Sequence, residues 1–365
     1  MLYRLVVLLA LAIGCAGHPA RVTDASSTVY VRSDTDATTI VSPTVKVAGK
    51  IDHTTLAGTY SVDAWTGASV DVVTAATKAI HERRNEVDAA IGYEARTVTV
   101  SANYRYSLEP DYQSHGLTLS LKDELAGKNT TLSIDALGTL DSVGRSGDPS
   151  FSLPVRSVGA RVSIAQVIDR ATIAELGWQT TFIDGYQASP YRFVALGDVG
   201  TCASNAPFCV PEAVPNRRLR NALIARARHA LGKSVSAGLE YRFYFDDWGI
   251  FSHAVEPDLA LRLTDAQTLS VRYRYTTQGE ASFYRPRYFD PAMTSGYVTR
   301  DRKLSALLGN EAGLQYLYRL ESDAGDRIIT FGLRTTLSRA DYLAYVGLDH
   351  VWALELTGLV GVELP

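Results

Sequence analysis

The strongest pattern along the chain is a strict alternation of apolar and polar residues. Val98, Val100, Ala102, Tyr104, Tyr106 and Leu108 share one parity, while Thr99, Ser101, Asn103, Arg105 and Ser107 hold the other. Val87, Ala89, Ile91 and Tyr93 alternate with Glu86, Asp88 and Glu94. Val235, Ala237, Leu239, Tyr241, Phe243 and Phe245 are interleaved with Ser236, Glu240 and Arg242, and Leu269, Val271, Tyr273 and Tyr275 with Ser270, Arg272 and Arg274. Successive side chains of an extended chain point to opposite faces, so a period of two predicts strands with one apolar and one polar face. Strands of soluble sandwiches run to roughly five or six residues. These are about twice that, the length with which a tilted strand crosses a bilayer.

The connections alternate as well. Tight turns are expected at Gly49 and Lys50, Arg96, Gly127 and Lys128, Asp169 and Arg170, Gly232 and Lys233, Asp265 and Ala266, and over 322–325. Longer or more polar links are expected over 66–82, 141–153, 184–215 and 278–302. Short turns at one rim and long loops at the other mark outer-membrane barrels. The pattern therefore predicts an all-β fold: a transmembrane antiparallel up-and-down β-barrel of about 16 strands (14–16), with short periplasmic turns and long extracellular loops. The barrel is expected over 27–365, after a short linker at 18–26, with both termini on the short-turn side. A solenoid or propeller would need a fixed repeat of roughly 20–50 residues, and none is visible. No segment reaches the ~20 consecutive apolar residues of a transmembrane helix.

Residues 1–17 read differently. Arg4 precedes an unbroken apolar run over 5–13, followed by Gly14, Cys15, Ala16 and Gly17. That is an export signal, to be set aside from the fold. The run into Cys15 also resembles a lipobox, with Ala12 in place of the usual Leu. Two outcomes fit: lipidation of Cys15 as the new N-terminus, or ordinary cleavage nearby.

Composition adds little beyond exclusions. Lys+Arg 36 against Asp+Glu 39 gives a formal net charge of -3, leaving no basic excess to attract nucleic acid. The 46% hydrophobic content lies in the globular range, so patterning alone carries the membrane reading. Tyr at 20 against Phe at 10 suits rings with one wet end and one oily end.

The chain also resembles a known family. Val62-Asp63-Ala64-Trp65-Thr66-Gly67-Ala68-Ser69 with Asp71-Val72-Val73-Thr74, Glu109-Pro110-Asp111-Tyr112 and Ser189-Pro190-Tyr191-Arg192 carry the resemblance. So do Pro215-Asn216-Arg217, Tyr241-Arg242-Phe243-Tyr244 with Asp247-Trp248-Gly249-Ile250, and Arg300-Asp301 with Lys303-Leu304-Ser305. Their order and spacing are similar to those of the bacterial outer-membrane barrels grouped as domain of unknown function 3570. The resemblance spans nearly the whole mature chain and implies a barrel at the outer membrane, with no established activity to carry over. One departure stands out. The chain ends Val362-Glu363-Leu364-Pro365, without the C-terminal aromatic that outer-membrane insertion machinery commonly reads.

Candidate chemistry concentrates between Arg217 and Tyr275. Tight hairpins that keep the apolar faces outward place Arg226 across from Glu240, Asp258 across from Arg272, and Glu256 across from Arg274. Cross-strand neighbours at this spacing form ion pairs. Arg218, Arg220, Arg228, Arg242 and Arg262 add positive charge to the same inner wall. Two readings compete. An Arg-rich wall facing acids sets a field across a pore and selects solutes, or paired charges simply brace the barrel, since charge facing water costs little. Cys202 and Cys209, with six residues between them in the longest loop, are expected to form a disulfide in an oxidising exported setting. Their spacing is no zinc pattern, and no metal or cofactor is expected.

The seven His are scattered, and His229 falls on an apolar parity where packing is the expected role. No catalytic constellation or phosphate loop appears, so an enzyme is not expected. Tyr93, Tyr104, Tyr106, Phe243, Phe245, Trp248, Phe283, Tyr284 and Tyr288 suit interfacial girdles and loop packing. The leading expectation is a pore for small polar solutes. The alternative is a scaffolding barrel plugged by its loops or by a small partner lipoprotein. The expected partners are outer-membrane lipid and the insertion machinery.

Overall fold

The computed structural model describes residues 21–67, 80–197, 202, 208–322 and 324–364. The export-signal reading, Cys15 and the family stretch over 68–74 lie outside them. The strands in chain order are β1 (Arg21–Asp34), β2 (Thr38–Ile51), β3 (Thr54–Gly67), β4 (Ile80–Ala95), β5 (Val98–Leu108) and β6 (Tyr112–Leu125). They continue as β7 (Thr130–Arg145), β8 (Asp148–Val167), β9 (Thr172–Gly185), β10 (Phe193–Ala195), β11 (Cys209–Pro211) and β12 (Arg217–Ala230). The last six are β13 (Val235–Asp246), β14 (Phe251–Arg262), β15 (Gln267–Gln278), β16 (Leu307–Glu321), β17 (Ile328–Tyr342) and β18 (His350–Glu363). β10 and β11 pair only with each other, inside the connection from β9 to β12. The other sixteen form one closed barrel, each antiparallel to its neighbours, with β1 hydrogen-bonded to both β2 and β18.

Alternation becomes orientation in this wall. Val271, Tyr273 and Tyr275 of β15 are 45%, 45% and 41% exposed on the outer face despite being apolar or aromatic. Arg272 and Arg274, between them, turn inward onto Glu256 of β14. The same division runs round the barrel, with Ile91, Leu119, Leu140, Val158, Leu176, Leu239 and Leu333 among the exposed outer residues. A continuous apolar belt on a sheet without edges is stable only in lipid, where closure satisfies every backbone polar group.

Short turns join strands at one rim, at 52–53, 96–97, 126–129, 168–171, 231–234, 263–266 and 322–327. Arg21 and Glu363, the ends of the barrel strands, lie at this rim too. Three expected boundaries are corrected. Gly49 and Lys50 lie within β2, paired with Leu56 and Thr55, and the turn falls at Asp52 and His53. Gly49 is small because the Arg21 carbonyl passes 3.0 Å from where its Cβ would sit, beside a bulge in β1. Residues 141–153 are mostly strand, since β7 and β8 run on to a tight turn at Ser146 and Gly147. Residues 21–26, read as linker, already belong to β1. All three corrections concern strand ends near a rim, where both faces meet water and alternation fades.

At the opposite rim, 35–37, 109–111, 146–147, 247–250 and 343–349 are compact, while 186–216 and 279–306 are long. The described parts of the two long connections are built structures. Leu196 bridges to Tyr288 and Ala213 to Val298, joining one to the other. Val214, Trp248, Ile250, Ala281, Phe283, Tyr284, Leu304 and Tyr345 pack as one buried cluster, and Val194, Tyr288 and Val298 as a second. These buried apolar clusters therefore lie in a cap made by the loops, above a lumen whose own wall is polar.

Candidate functional site

The inward positions of β12 to β16 form a charged wall. Arg226 faces Glu240 on β13 and Glu175 on β9 in register, and its guanidinium reaches them at 2.5 and 3.5 Å. Glu175 also meets Arg161 of β8 at 3.8 Å. Arg274 meets Glu256 at 3.7 Å. Asp258 is opposite Arg272 in register, as expected, but its ion-pair partner is Arg228, at 2.6 Å. The cause is Gly238, which stands between them on β13. A Cβ there would lie 2.1 Å from Asp258 Oδ1 and 2.8 Å from Arg228 Nη2. Arg272 instead lies across Gly313 of β16, reaching Glu256 at 3.6 Å and Glu311 at 3.9 Å. Arg262 stands apart from this ladder and anchors the short-turn rim, donating to the Lys233 carbonyl at 3.0 Å and facing Asp265 at 3.7 Å.

Nearer the cap, Arg218 donates to Asp246 at 2.9 and 2.5 Å and stacks 4.2 Å over the Trp248 ring. Arg220 and Arg242 share the same inner parity. The opposite wall carries the other sign. Asp63, Glu82, Glu86 and Asp88 line the polar parity of β3 and β4, with Arg84 of β4 and Arg105 of β5 among them, while Asp135 and Asp141 hold inner positions of β7, three strands from β12, where Asp135 faces Arg161 of β8. At the loop rim the carboxylates of Glu82, Glu109 and Asp111 gather within 4.8 Å of one another. Burial holds the Glu109 carboxyl above its ordinary range, against the opposing pull of Arg84. The Tyr191 hydroxyl of the long loop donates to Asp111 and accepts from Ser146 N–H, the latter at 2.6 Å, tying the cap to this wall.

The cap reaches into the mouth. Asp301, Lys303 and Leu304 line one cavity with Arg220, Arg242 and Arg274. Glu212 organises the cap from inside, accepting from Arg192 at 2.9 Å, Ser189 N–H at 2.7 Å and Thr299 Oγ1 at 2.5 Å. Arg302 pairs with Asp36 of the β1–β2 turn, and Arg300 Nη2 donates to the Val346 carbonyl at 3.1 Å. Burial pushes the Tyr284 hydroxyl above the usual tyrosine range, and it serves as a donor to the Ala344 carbonyl at 3.3 Å. Cys202 and Cys209 are joined as a disulfide with Cα atoms 5.7 Å apart.

Several expected residues serve packing. Trp248, Phe283, Tyr284 and Tyr288 are buried in the cap, whereas Tyr93, Tyr104 and Tyr241 sit exposed on the outer wall. His115 and His253 hydrogen-bond the hydroxyls of Tyr104 and Tyr241 at 2.7 Å, and His229 that of Thr172 at 2.8 Å. Sequence reasoning missed Glu175, Glu311, Asp246 and the cap residues Asp301 and Lys303. Glu175 and Arg226 are brought together across the 186–216 connection, whose length hides the register of β9 against β12.

A family model described as "Protein of unknown function (DUF3570)" matches residues 35–154 and 154–328. The chain belongs to the DUF3570 family. The DUF3570 barrel is similar in fold to a bacterial polysaccharide outer membrane secretin, at 10% identity, 92% of this chain, 97% of that chain and a TM-score of 0.50. OprD of Pseudomonas aeruginosa matches at 10% identity over 94% of each chain with a TM-score of 0.47. The CymD monoaromatic hydrocarbon channel matches at 8% identity over 94% of this chain and 88% of that one, TM-score 0.42. Identities this low speak to the fold alone. No curated protein matches the sequence. With its closed sixteen-strand wall and apolar belt, this DUF3570 protein is a bacterial outer-membrane β-barrel.

Proposed function

We propose that this DUF3570 barrel is a pore for small polar solutes whose charged lumen sets selectivity. The observation that supports it is the separation of sign: arginines dominate the lumen wall of β12 to β15, and carboxylates that of β3 and β4 across the barrel. The ion pairs of Arg226, Arg228, Arg272 and Arg274 brace the wall locally, but Arg220 and Arg242 stand outside them and leave that wall an excess of positive charge. Opposed walls put a field across the lumen, which orders and selects ions on their way through. In planar bilayers the purified barrel is expected to give stepwise currents. Changing Arg272 and Arg274 to Glu is expected to shift the reversal potential towards cation selectivity. A silent barrel, or currents indifferent to those substitutions, overturns the reading.

The packed cap favours one other reading: a scaffolding barrel closed by its own loops or by a partner lipoprotein. That reading requires a folded, monodisperse barrel that never conducts. In either case residues 1–17 act as the export signal, with Cys15 as the candidate lipidation site, and the outer-membrane machinery inserts the strands. No residue is assigned a catalytic role.

A further inference from the structure

The arginines of the basic wall fall into two tiers. In the deeper tier each has an acid: Arg226 has Glu240 and Glu175, Arg228 has Asp258, and Arg272 and Arg274 share Glu256. The tier beneath the cap differs. Arg220 stands opposite Asp246 in register, but that carboxylate is already saturated. Its Oδ2 accepts from Arg218 Nε at 2.9 Å and Nη2 at 2.5 Å and from the Tyr244 hydroxyl at 2.7 Å, and its Oδ1 from Ile250 N–H at 2.9 Å. Arg220 is left over, with its Nε buried and without a partner among the described residues. Arg242 has Ile224 and Ala254 as its cross-strand neighbours, so no acid stands directly opposite it on either flanking strand. Lys303 of the cap enters the same cavity. The one acid lining it, Asp301, faces Arg192 at 3.7 Å and accepts from Lys303 N–H at 2.9 Å.

A desolvated guanidinium nitrogen without an acceptor is costly. That penalty falls when an external anion supplies oxygens in the planar, two-point arrangement that guanidinium groups match. We propose that Arg220 and Arg242, with Lys303, form a binding subsite for small organic anions bearing carboxylate or phosphate groups. The cavity, about 370 Å³, lies within the size range of small-molecule sites. Tyr244, Thr276 and Gln278 line its other sides with neutral hydrogen-bonding groups. The inference deepens the pore reading by naming the solute class, and rests on it for the route by which the anion arrives.

Binding can be read without conductance. The full barrel in detergent is titrated with succinate, with inorganic phosphate and with glucose, following Trp fluorescence, since Trp248 stacks on Arg218 beside the cavity. Saturable binding of succinate, phosphate or both is expected, and none of glucose. Succinate alone assigns the site to carboxylates, and phosphate alone to phosphate esters. The double variant Arg220→Gln, Arg242→Gln is expected to bind at least tenfold more weakly, with heat-modifiable gel mobility reporting that it is folded. If that pair does not fold, Arg242→Gln alone, between two apolar neighbours, is expected to weaken binding severalfold. A barrel that binds succinate but is silent in bilayers removes the pore and keeps the subsite. A conducting barrel with no saturable anion binding, or with binding unmoved by these variants, removes the subsite and keeps the pore.

Discussion

Two glycines determine which acid each lumen arginine meets. Register alone sets Asp258 against Arg272, yet Gly238 leaves a gap through which Arg228 reaches Asp258 from one strand further away. Gly313 likewise gives Arg272 a bare backbone to lie across. A β-branched side chain at Gly238 must push both charged ends aside, and both are flexible, so the barrel still folds. Gly238→Val is therefore expected to break the Arg228–Asp258 pair at a cost of about 0.2–1 kcal/mol, the range for partly exposed pairs. A double-mutant cycle with Arg228→Gln, read by urea unfolding in lipid vesicles, checks this. If the two changes add fully, the gap at Gly238 has no part in the pairing.

Along each strand the decisive quantity is the environment of the two faces. Within the lipid belt, charge on the outer face near the midplane costs about 2–4 kcal/mol, while the lumen face is wet and tolerant. Val271 faces out and Ser270 faces in, one residue apart on β15. Val271→Arg is expected to lower unfolding stability in vesicles by about that 2–4 kcal/mol, and Ser270→Arg to leave it nearly unchanged. Equal effects would mean the wall is not oriented as described. The same physics explains what was readable and what was not. The alternation over β5, β13 and β15 was legible because lipid demands it. The ends of β1, β2, β7 and β8 were misplaced because water on both faces demands nothing. The hairpin pairing Arg226–Glu240 could be counted across a short turn, whereas Glu175, beyond a 31-residue gap from Gly185 to Arg217, could not.

For the molecule as a whole, the cap couples wall to mouth. Trp248 is buried at 4% exposure, donates from Nε1 to the Arg217 carbonyl at 2.8 Å and packs edge-on against Phe283. Trp248→Ala should therefore loosen the cap by about 3–5 kcal/mol, the usual cost of emptying such a site, while the sheet itself stays closed. The expected readouts are faster proteolysis within 186–216 and, on the pore proposal, a larger unit conductance. Unchanged conductance would show that the cap does not narrow the route.

The chain by itself determined the strand parity, the direction of each face, the closed up-and-down barrel and the near-neighbour register. Those properties are local, imposed by backbone geometry and by which solvent each side chain prefers. Only the tertiary structure decided that the described parts of the long loops fold inward as a packed cap, that Arg302 meets Asp36 across 266 residues, and that Arg220 Nε is left without an acceptor among the described residues. Such outcomes depend on contacts between distant segments and on competition for single carboxylates, which exist only once the barrel has closed.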